Sequence, residues 1–118
     1  MQSNIVHLLT VCGLTEEFAT VVATKYASEK DEMAQNPVPF VQDYWYANNR
    51  EALGELFYFH DTKGMREALL KLSVKPQVVT QVMSAPHNEE LFLHRDAIEW
   101  ASMVIDGQRK KAFRGADH

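Results

Sequence analysis

Residues 97–105 of the chain read AIEWASMVI, and the fold is most readily predicted from this stretch. It lies in a longer segment, 86–107, whose apolar side chains fall on two adjacent stripes of a helical wheel. An apolar arc this wide is typical of a helix buried among others. We therefore predict a long C-terminal helix with the rest of the chain packed around it. The stripes are Leu93, Ala97, Trp100 and Val104, and Leu91, Ile98, Ala101 and Ile105.

Upstream of this segment, Gly, Pro and capping residues divide the chain into shorter pieces with helical apolar spacing. No internal repeat is apparent among them. The sequence predicts an all-α fold, a single compact domain of about five to seven helices. The alternative is an α+β fold with short strands near 56–59 and 78–82, because short apolar runs fit either structure. The shorter helices are expected at 4–11, 15–34, 40–47, 49–59, 61–72 and 77–84.

Several of the expected helix ends depend on single residues. Gly13 is the predicted C-terminal stop of the first helix, and Thr15 is a favourable N-cap for the second. Asn48 is the predicted N-cap of the helix at 49–59. Gly54 then lies in the middle of that helix, where it costs about 1 kcal/mol relative to Ala, and close packing against another helix would explain it.

The chain has 118 residues, of which 46% are hydrophobic and 24% are charged, as in an ordinary globular domain. The 12 basic and 16 acidic residues give a net charge of −4. Residues 107–118 carry +3 and the remainder carries −7. We expect a helical domain at 1–107 and a basic, mobile tail at 108–118. An acidic body is a poor nucleic-acid platform and suits a protein partner with a basic surface.

Cys12 is the one cysteine, so the chain has no intramolecular disulfide, and its apolar surroundings favour a core position. The first eleven residues lack the basic residues of a signal peptide. No apolar stretch reaches the 18 residues of a transmembrane helix. We therefore expect a cytoplasmic protein that does not bind membranes.

Histidines and acidic residues form two groups that suggest a metal site. His87, Glu90 and His94 share one helical face, but residues seven apart are about 10.5 Å apart along a helix. Only the pair Glu90 and His94 is well placed to bind one ion, with His60 and Asp61 as further ligands. No catalytic residue, metal or cofactor is expected, and a metal-dependent enzyme using this cluster is one alternative.

Residues 65–83 have the lengths of a helix-turn-helix, which gives a second alternative, a nucleic-acid-binding transcriptional regulator. The segment that would read bases contains no arginine. The basic tail can supply several phosphate contacts in addition to those of Lys71 and Lys75. The residues of this alternative are Gln77, Thr80 and Gln81 for bases and Arg109, Lys110 and Lys111 for phosphates.

Aromatic residues are concentrated between 40 and 59, where 7 of the 12 in the chain occur. Three consecutive aromatics cannot all lie on one helical face, so some are expected at the surface, where Tyr and Trp often anchor partners. The first hypothesis is therefore a small helical protein that binds another protein, as an accessory, regulatory or inhibitory subunit, or as a homodimer. The residues expected to bind the partner are Tyr44, Trp45, Tyr46, Tyr58, Asp43, Glu51 and Glu55.

Overall fold

The structure is a computed structural model that describes residues 2–58, 61–84 and 96–116, with the backbone alone at 2, 3 and 113–116. These residues form eight α-helices and two 3-10 helices, so the all-α prediction is confirmed for this part of the chain, but the expected number of five to seven helices is too low. The strand alternative is wrong at 56–58, which is 3-10 helix, and at 78–82, which is α-helix. The α-helices are α1 (Gln2–Val11), α2 (Glu16–Lys25), α3 (Lys30–Gln35), α4 (Val38–Asn48), α5 (Arg50–Leu53), α6 (Thr62–Lys71), α7 (Pro76–Met83) and α8 (Ala97–Ala116), and the 3-10 helices are Ala27–Glu29 and Gly54–Tyr58.

The turn after α1 ends that helix through a left-handed residue, as predicted. Gly13 has φ of +102°, and its N–H donates to the Thr10 carbonyl at 3.0 Å. The next N–H, that of Leu14, donates to the Leu9 carbonyl at 3.2 Å. These are the two bonds of a Schellman motif, which satisfies the last carbonyls of a helix. Thr15 then caps α2, as predicted, by accepting the Phe18 N–H at 3.4 Å.

The turn after α6 repeats this arrangement 60 residues later in the chain. Ser73 has φ of +67°, and its N–H donates to the Leu70 carbonyl at 3.1 Å. Val74 N–H donates to the Leu69 carbonyl at 3.1 Å. Both ends of α6 and the first residue of α7 are also offset by 60 from those of α1 and α2. The structure therefore contains a repeat that is not apparent in the sequence.

The two turns bind each other through a reciprocal pair of backbone hydrogen bonds. Thr15 N–H donates to the Ser73 carbonyl at 2.9 Å, and Lys75 N–H donates to the Gly13 carbonyl at 2.8 Å. Both bonds again join positions related by the offset of 60, which gives the contact local two-fold symmetry. Between them Leu14 and Val74, both buried, form an isolated antiparallel bridge. We call α1–turn–α2 the first unit and α6–turn–α7 the second unit.

The predicted helix at 15–34 is divided in the structure. α2 ends at Lys25, and a 3-10 turn leads into α3. The break is at Tyr26, whose backbone leaves helical geometry with φ −109° and ψ 31°. Its ring packs edge-on against Phe40 with centroids 5.4 Å apart, and its hydroxyl donates to Asp43 at 2.9 Å. Contacts with α4 therefore accompany a break that no Gly or Pro marks in the sequence.

The predicted helix at 49–59 is also wrong, because α5 ends after four residues. Gly54 has φ of +52° and ψ of −121°, which is incompatible with an α-helix interior. Apart from its two chain neighbours, no atom of the described residues lies within 4 Å of the position its Cβ would occupy, so backbone conformation explains this glycine. Asn48 does not cap the helix, since its side chain donates to the Tyr44 carbonyl at 2.9 Å.

The described part of α8 begins beside Asp96, whose carboxylate accepts the Glu99 N–H at 2.6 Å. The predicted residues 86–95 of this helix lie outside the described residues. The predicted end at Gly107 is wrong, because α8 continues to Ala116. The Asp106 carboxylate forms salt bridges with Arg109 Nη2 and Lys110 Nζ, each at 3.1 Å. Such pairs three and four residues apart stabilise the helix beyond Gly107. The domain boundary at 107 and a mobile tail remain predictions.

The core joins both units to α4 and α8. Trp45 and Trp100 are its largest fully buried side chains, and the indole N–H of Trp45 donates to the Leu72 carbonyl at 3.1 Å. α8 contacts α1, α4 and α6, and all six predicted core residues that it contributes from Ala97 to Ile105 are buried. Within the described helices, none is both long and apolar enough to cross a bilayer.

Candidate interaction surface

Trp45 is the clearest correction to the predicted aromatic patch. Its side chain is fully buried and lies against Phe18, with the rings stacked at a centroid distance of 6.0 Å. The helical spacing in α4 places it on the same side as Val41, which is also fully buried. Because a partner cannot reach it in this conformation, Trp45 is a core residue and not part of the surface.

Tyr44 and Asp43 are largely engaged within the chain. Tyr44 is half-buried and packs edge-on against Phe18 with centroids 5.5 Å apart. Asp43 is exposed, and its carboxylate accepts the Tyr26 hydroxyl at 2.9 Å. Burial and this hydrogen bond raise the pKa of Tyr26 to about 12. These contacts join α2 to α4, which gives both residues a structural role.

Tyr46 and Tyr58 are the exposed members of the predicted set. Tyr58 is 61% exposed and Tyr46 is 38% exposed. The Tyr46 hydroxyl donates to the Asp96 carboxylate, at 3.0 Å from one oxygen and 3.3 Å from the other. The Tyr58 ring contacts the buried Phe57 ring edge-on at 4.9 Å. The fold thus holds Tyr46 at its hydroxyl and Tyr58 at one edge of its ring, while part of each side chain remains accessible.

Asp96, Glu99 and Tyr58 all lie close enough to Tyr46 to influence the pKa of its hydroxyl. Burial, the hydrogen bond to Asp96 and the nearby charge of Glu99 raise the pKa of Tyr46 to about 12, and Tyr58 adds a smaller effect. Tyr46 therefore remains a neutral hydrogen-bonding group at physiological pH. We call Tyr46, Tyr58, Asp96 and Glu99 the tyrosine patch.

Sequence reasoning missed both carboxylates of this patch. Asp96 and Glu99 have the spacing of a capping box, in which an N-cap residue is followed three positions later by Glu. That signal points to a helix start at 96, but the apolar stripes extended the predicted helix back to residue 86. The long-range bond from Tyr46 to Asp96 spans 50 residues and has no local signature.

The predicted acidic neighbours Glu51 and Glu55 are both exposed. Glu51 lies in α5, and Glu55 lies in the 3-10 helix that contains Tyr58. Arg50, also exposed, lies over the Phe57 ring, with its guanidinium carbon 5.3 Å from the centroid. The surface around Tyr58 therefore carries charges of both signs.

Most of the predicted metal cluster lies outside the described residues, namely His60, His87, Glu90 and His94. Asp61 is described and caps α6, since its carboxylate accepts the Gly64 N–H at 2.7 Å. Over 2–58, 61–84 and 96–116, no group of three or more potential ligands is placed to hold a metal ion. The metal site remains a prediction.

The predicted helix-turn-helix corresponds to the second unit. Gln77, Thr80 and Gln81 are exposed on α7, as a helix that reads bases requires. Of the predicted phosphate contacts, Arg109 and Lys110 bond Asp106 in the same helix, and Lys111 is exposed. Their role in binding nucleic acid remains a prediction.

Cys12 is fully buried in the turn after α1, as predicted. Burial raises the pKa of its thiol to about 11, with an opposing effect from Arg109. A thiol that stays protonated at neutral pH is a poor nucleophile. Cys12 is therefore suited to packing and not to thiol chemistry.

Comparison with known proteins gave no matching family model, no matching curated protein and no matching solved structure.

Proposed function

We propose that the chain binds another protein through the tyrosine patch, as an accessory, regulatory or inhibitory subunit in the cytoplasm. The observation that carries the proposal is the exposure of two tyrosines, 61% at Tyr58 and 38% at Tyr46, with the Tyr46 hydroxyl bonded to the Asp96 carboxylate. Tyrosine combines a large apolar ring with a polar tip and is enriched among residues that dominate binding energy.

Fixed geometry supports the same proposal. The Tyr46 hydroxyl is bonded to Asp96, and Asp96 is itself held as the N-cap of α8. A side chain held in one rotamer before binding loses less conformational entropy when a partner covers it. In this proposal α8 is the central support around which the other helices pack, so that the patch rests on a rigid element.

Charge indicates the kind of partner. Asp96 and Glu99 at the patch, with the exposed Glu51 and Glu55, outweigh the exposed Arg50 beside Phe57 and favour a partner surface that carries Lys or Arg. Such carboxylates speed association with a basic surface by long-range attraction, and salt screens this effect. We therefore expect slower association as ionic strength rises from about 50 to about 500 mM.

Site-specific cross-linking tests the proposal. A photoreactive benzoylphenylalanine replaces Tyr58 in one variant and Leu70 in another, because Leu70 is a surface residue of α6 with 45% exposure. In a lysate of the source organism, position 58 should cross-link one defined protein that position 70 does not. Equal labelling at both positions, or none at position 58, would contradict the proposal.

Nucleic-acid binding by the second unit is the other candidate. The exposure of Gln77, Thr80 and Gln81 along α7 favours it. Phosphate contacts give most such affinity and make it sensitive to salt. Gel shifts with mixed DNA and RNA at several salt concentrations test it, and the absence of salt-dependent retention would eliminate it.

A further inference from the structure

α4 and α8 extend the repeat of the first and second units. α4 occupies Val38–Asn48, and the residues 60 positions later, 98–108, lie within α8. Asn36 and Asp96, which are related by the same offset, each accept a backbone N–H from the first turn of the helix that follows, at 3.1 Å and 2.6 Å. Two further pairs at this offset are fully buried, Val41 with Ala101 and Trp45 with Ile105. α4 and α8 are therefore counterparts, as the two turns are.

The C-terminal half of each of these helices lies beside the start of the other. Tyr46 of α4 donates to Asp96 at the start of α8 at 3.0 Å. The counterparts of these two residues are Asp106 of α8 and Asn36 before α4, and both line a groove of about 300 Å³ between the helices. The two ends of the helix pair are thus related by the same two-fold symmetry as the turns. At one end the place is taken by Tyr46, and at the other end it is taken by Asp106.

The groove is open because the residue at this end has no aromatic ring. Ile98, at the end that carries Tyr46, is fully buried, whereas its counterpart Val38 is only half-buried and lines the groove. This difference in burial is the one expected when a ring is present at one end and absent at the other. Pro39 and Met103 add further apolar surface to the lining. The groove therefore has the position and the apolar walls that an aromatic ring requires.

We propose that this groove binds a phenol, an aromatic ring that bears a hydroxyl group, in the way that Tyr46 fills the equivalent place. Asn36 supplies the hydrogen bond to the hydroxyl. Its Oδ1 accepts the Val38 N–H at 3.1 Å, which leaves the two Nδ2 hydrogens to donate to a phenol oxygen. A ring with a polar tip suits a site that combines apolar walls with a few polar groups.

Charge at the groove favours a neutral ligand. Glu99 and Asp106 both line it, and the Asp106 carboxylate already forms salt bridges with Arg109 and Lys110. A carboxylate or phosphate on the ligand would meet like charge at Glu99, whereas a phenol keeps its proton and stays neutral at physiological pH. The chemistry of the lining therefore selects a phenol over an aromatic acid.

The phenol site goes beyond the proposed function and is tested separately from it. The groove shares Glu99 with the tyrosine patch, but its ligand is a small group that enters a cavity and not a protein surface that covers Tyr58. Binding is measured with the purified chain and small probes, whereas the proposed function is measured by cross-linking in a lysate. Each proposal can therefore fail without the other.

Titration of the isotope-labelled chain with small probes, followed by NMR, tests the site. N-acetyltyrosine amide should shift the Asn36 side-chain amide and the backbone amides that line the groove, with a dissociation constant of roughly 0.1 to 10 mM. N-acetylphenylalanine amide lacks the hydroxyl and should bind about fivefold more weakly. N-acetylleucine amide should bind about tenfold more weakly or less tightly still. Shifts that do not saturate, shifts elsewhere in the chain, or equal binding of all three probes would overturn the proposal.

A fourth probe, 4-methylphenol, distinguishes two sources of the phenol. N-acetyltyrosine amide carries peptide groups on both sides of the ring, as a tyrosine in a protein chain does, whereas 4-methylphenol is a free small molecule. Tighter binding of the tyrosine amide assigns the groove to a tyrosine of a protein chain. Tighter binding of 4-methylphenol assigns it to a free phenol. Binding of neither probe would overturn the proposal.

Asp106→Tyr should fill the groove from within, because it restores the residue type of the equivalent place. The variant should bind N-acetyltyrosine amide more than about tenfold more weakly than wild type. Asp106→Asn is the matched control, since it removes the same two salt bridges and leaves the groove open, and it should change the affinity less than about threefold. Equal effects of the two variants on a folded chain would contradict the proposal.

The reverse change at the other end decides the question if Asp106→Tyr does not fold. Tyr46→Ala removes the ring from the equivalent place and should create a second site for N-acetyltyrosine amide, where the Asp96 carboxylate accepts the phenol hydroxyl. A second set of saturating shifts should then appear at the backbone amides of Asp96 and Glu99. A folded Tyr46→Ala chain that shows no second set would contradict the equivalence of the two places.

Discussion

The first and second units adopt the same backbone from different side chains. Between residues 5 and 24 and their counterparts 60 positions later, three pairs are identical. The pattern of burial is shared much more widely, as at Leu9 and Leu69 or Leu14 and Val74. Apolar side chains at equivalent positions, together with the reciprocal bonds between the turns, therefore define the unit. The identity of each residue is secondary.

The turns show what each unit tolerates. The left-handed position is Gly13 in the first unit and Ser73 in the second, with φ of +102° and +67°. A Cβ on Gly13 would lie 3.3 Å from both methyl groups of Val78. The first turn therefore demands glycine for conformation and for space, whereas the second accepts a side chain with some backbone strain.

The largest effect is expected from Gly13→Ala. The substitution combines a strained left-handed residue with crowding against Val78, so the free energy of unfolding should fall by about 3 kcal/mol. Ser73→Ala, which keeps a Cβ at the equivalent position, is the control and should cost less than about 1 kcal/mol. Urea denaturation measures both. Equal losses would mean that the two turns are under the same constraint.

A smaller effect on stability is expected at Cys12, the residue before Gly13, when the pH rises. The equivalent residue of the second unit is Leu72, which has no group that titrates. The pKa of the buried thiol is about 11 against 9.0 for an exposed one, so the unfolded chain loses its proton first as pH rises. The stability contribution is therefore complete below pH 9 and is lost between about pH 9 and 11. The loss amounts to about 2 kcal/mol.

Denaturation of wild type and Cys12→Ala at pH 8 and at pH 11 isolates this contribution. Tyr26 and Tyr46 also titrate at high pH, but they are common to both proteins and cancel in the difference. The stability gap between wild type and variant should shrink as pH rises. A gap that does not change with pH would show that the thiol has an ordinary pKa.

Removing the N-cap of α2 should lower the free energy of unfolding by about 1 kcal/mol. Thr15→Ala removes the hydroxyl that accepts the Phe18 N–H, a loss typical of N-cap residues. Lys75 occupies the same position in the second unit without a side-chain cap, and Lys75→Ala should change the free energy of unfolding by less than about 0.5 kcal/mol. Thermal unfolding of both variants checks the contrast.

The smallest effect is expected from Ser73→Gly, which should raise the free energy of unfolding instead of lowering it. Ser73→Gly relieves the left-handed strain in the second turn, offset in part by the greater entropy of glycine in the unfolded chain. The variant should be more stable than wild type by up to about 0.5 kcal/mol. A loss of stability in the same denaturation experiment would show that the Ser73 side chain contributes more than the strain costs.

Local signals predicted much of the fold. Gly13 and Thr15 were assigned their correct roles because turn and cap preferences act over a few residues. The helix break at Tyr26 was missed because it depends on contacts with α4. The repeat was missed because the two units share a pattern of burial but few identical residues. At the surface, the sequence predicts Tyr46 and Tyr58 correctly as exposed. The burial of Trp45 was missed because its contacts, with Phe18 and with the Leu72 carbonyl, are both 27 residues away in the chain.

The most direct test of the account measures folding and binding in one variant. In the double variant Tyr46→Ala, Tyr58→Ala, the free energy of unfolding should fall by no more than about 2 kcal/mol, leaving a folded chain. The partner recovered by cross-linking at position 58 should bind it about 30-fold or more weakly than wild type, the loss expected when hot-spot residues are removed. Wild-type affinity in a folded double variant would contradict the claim that the tyrosine patch binds the partner.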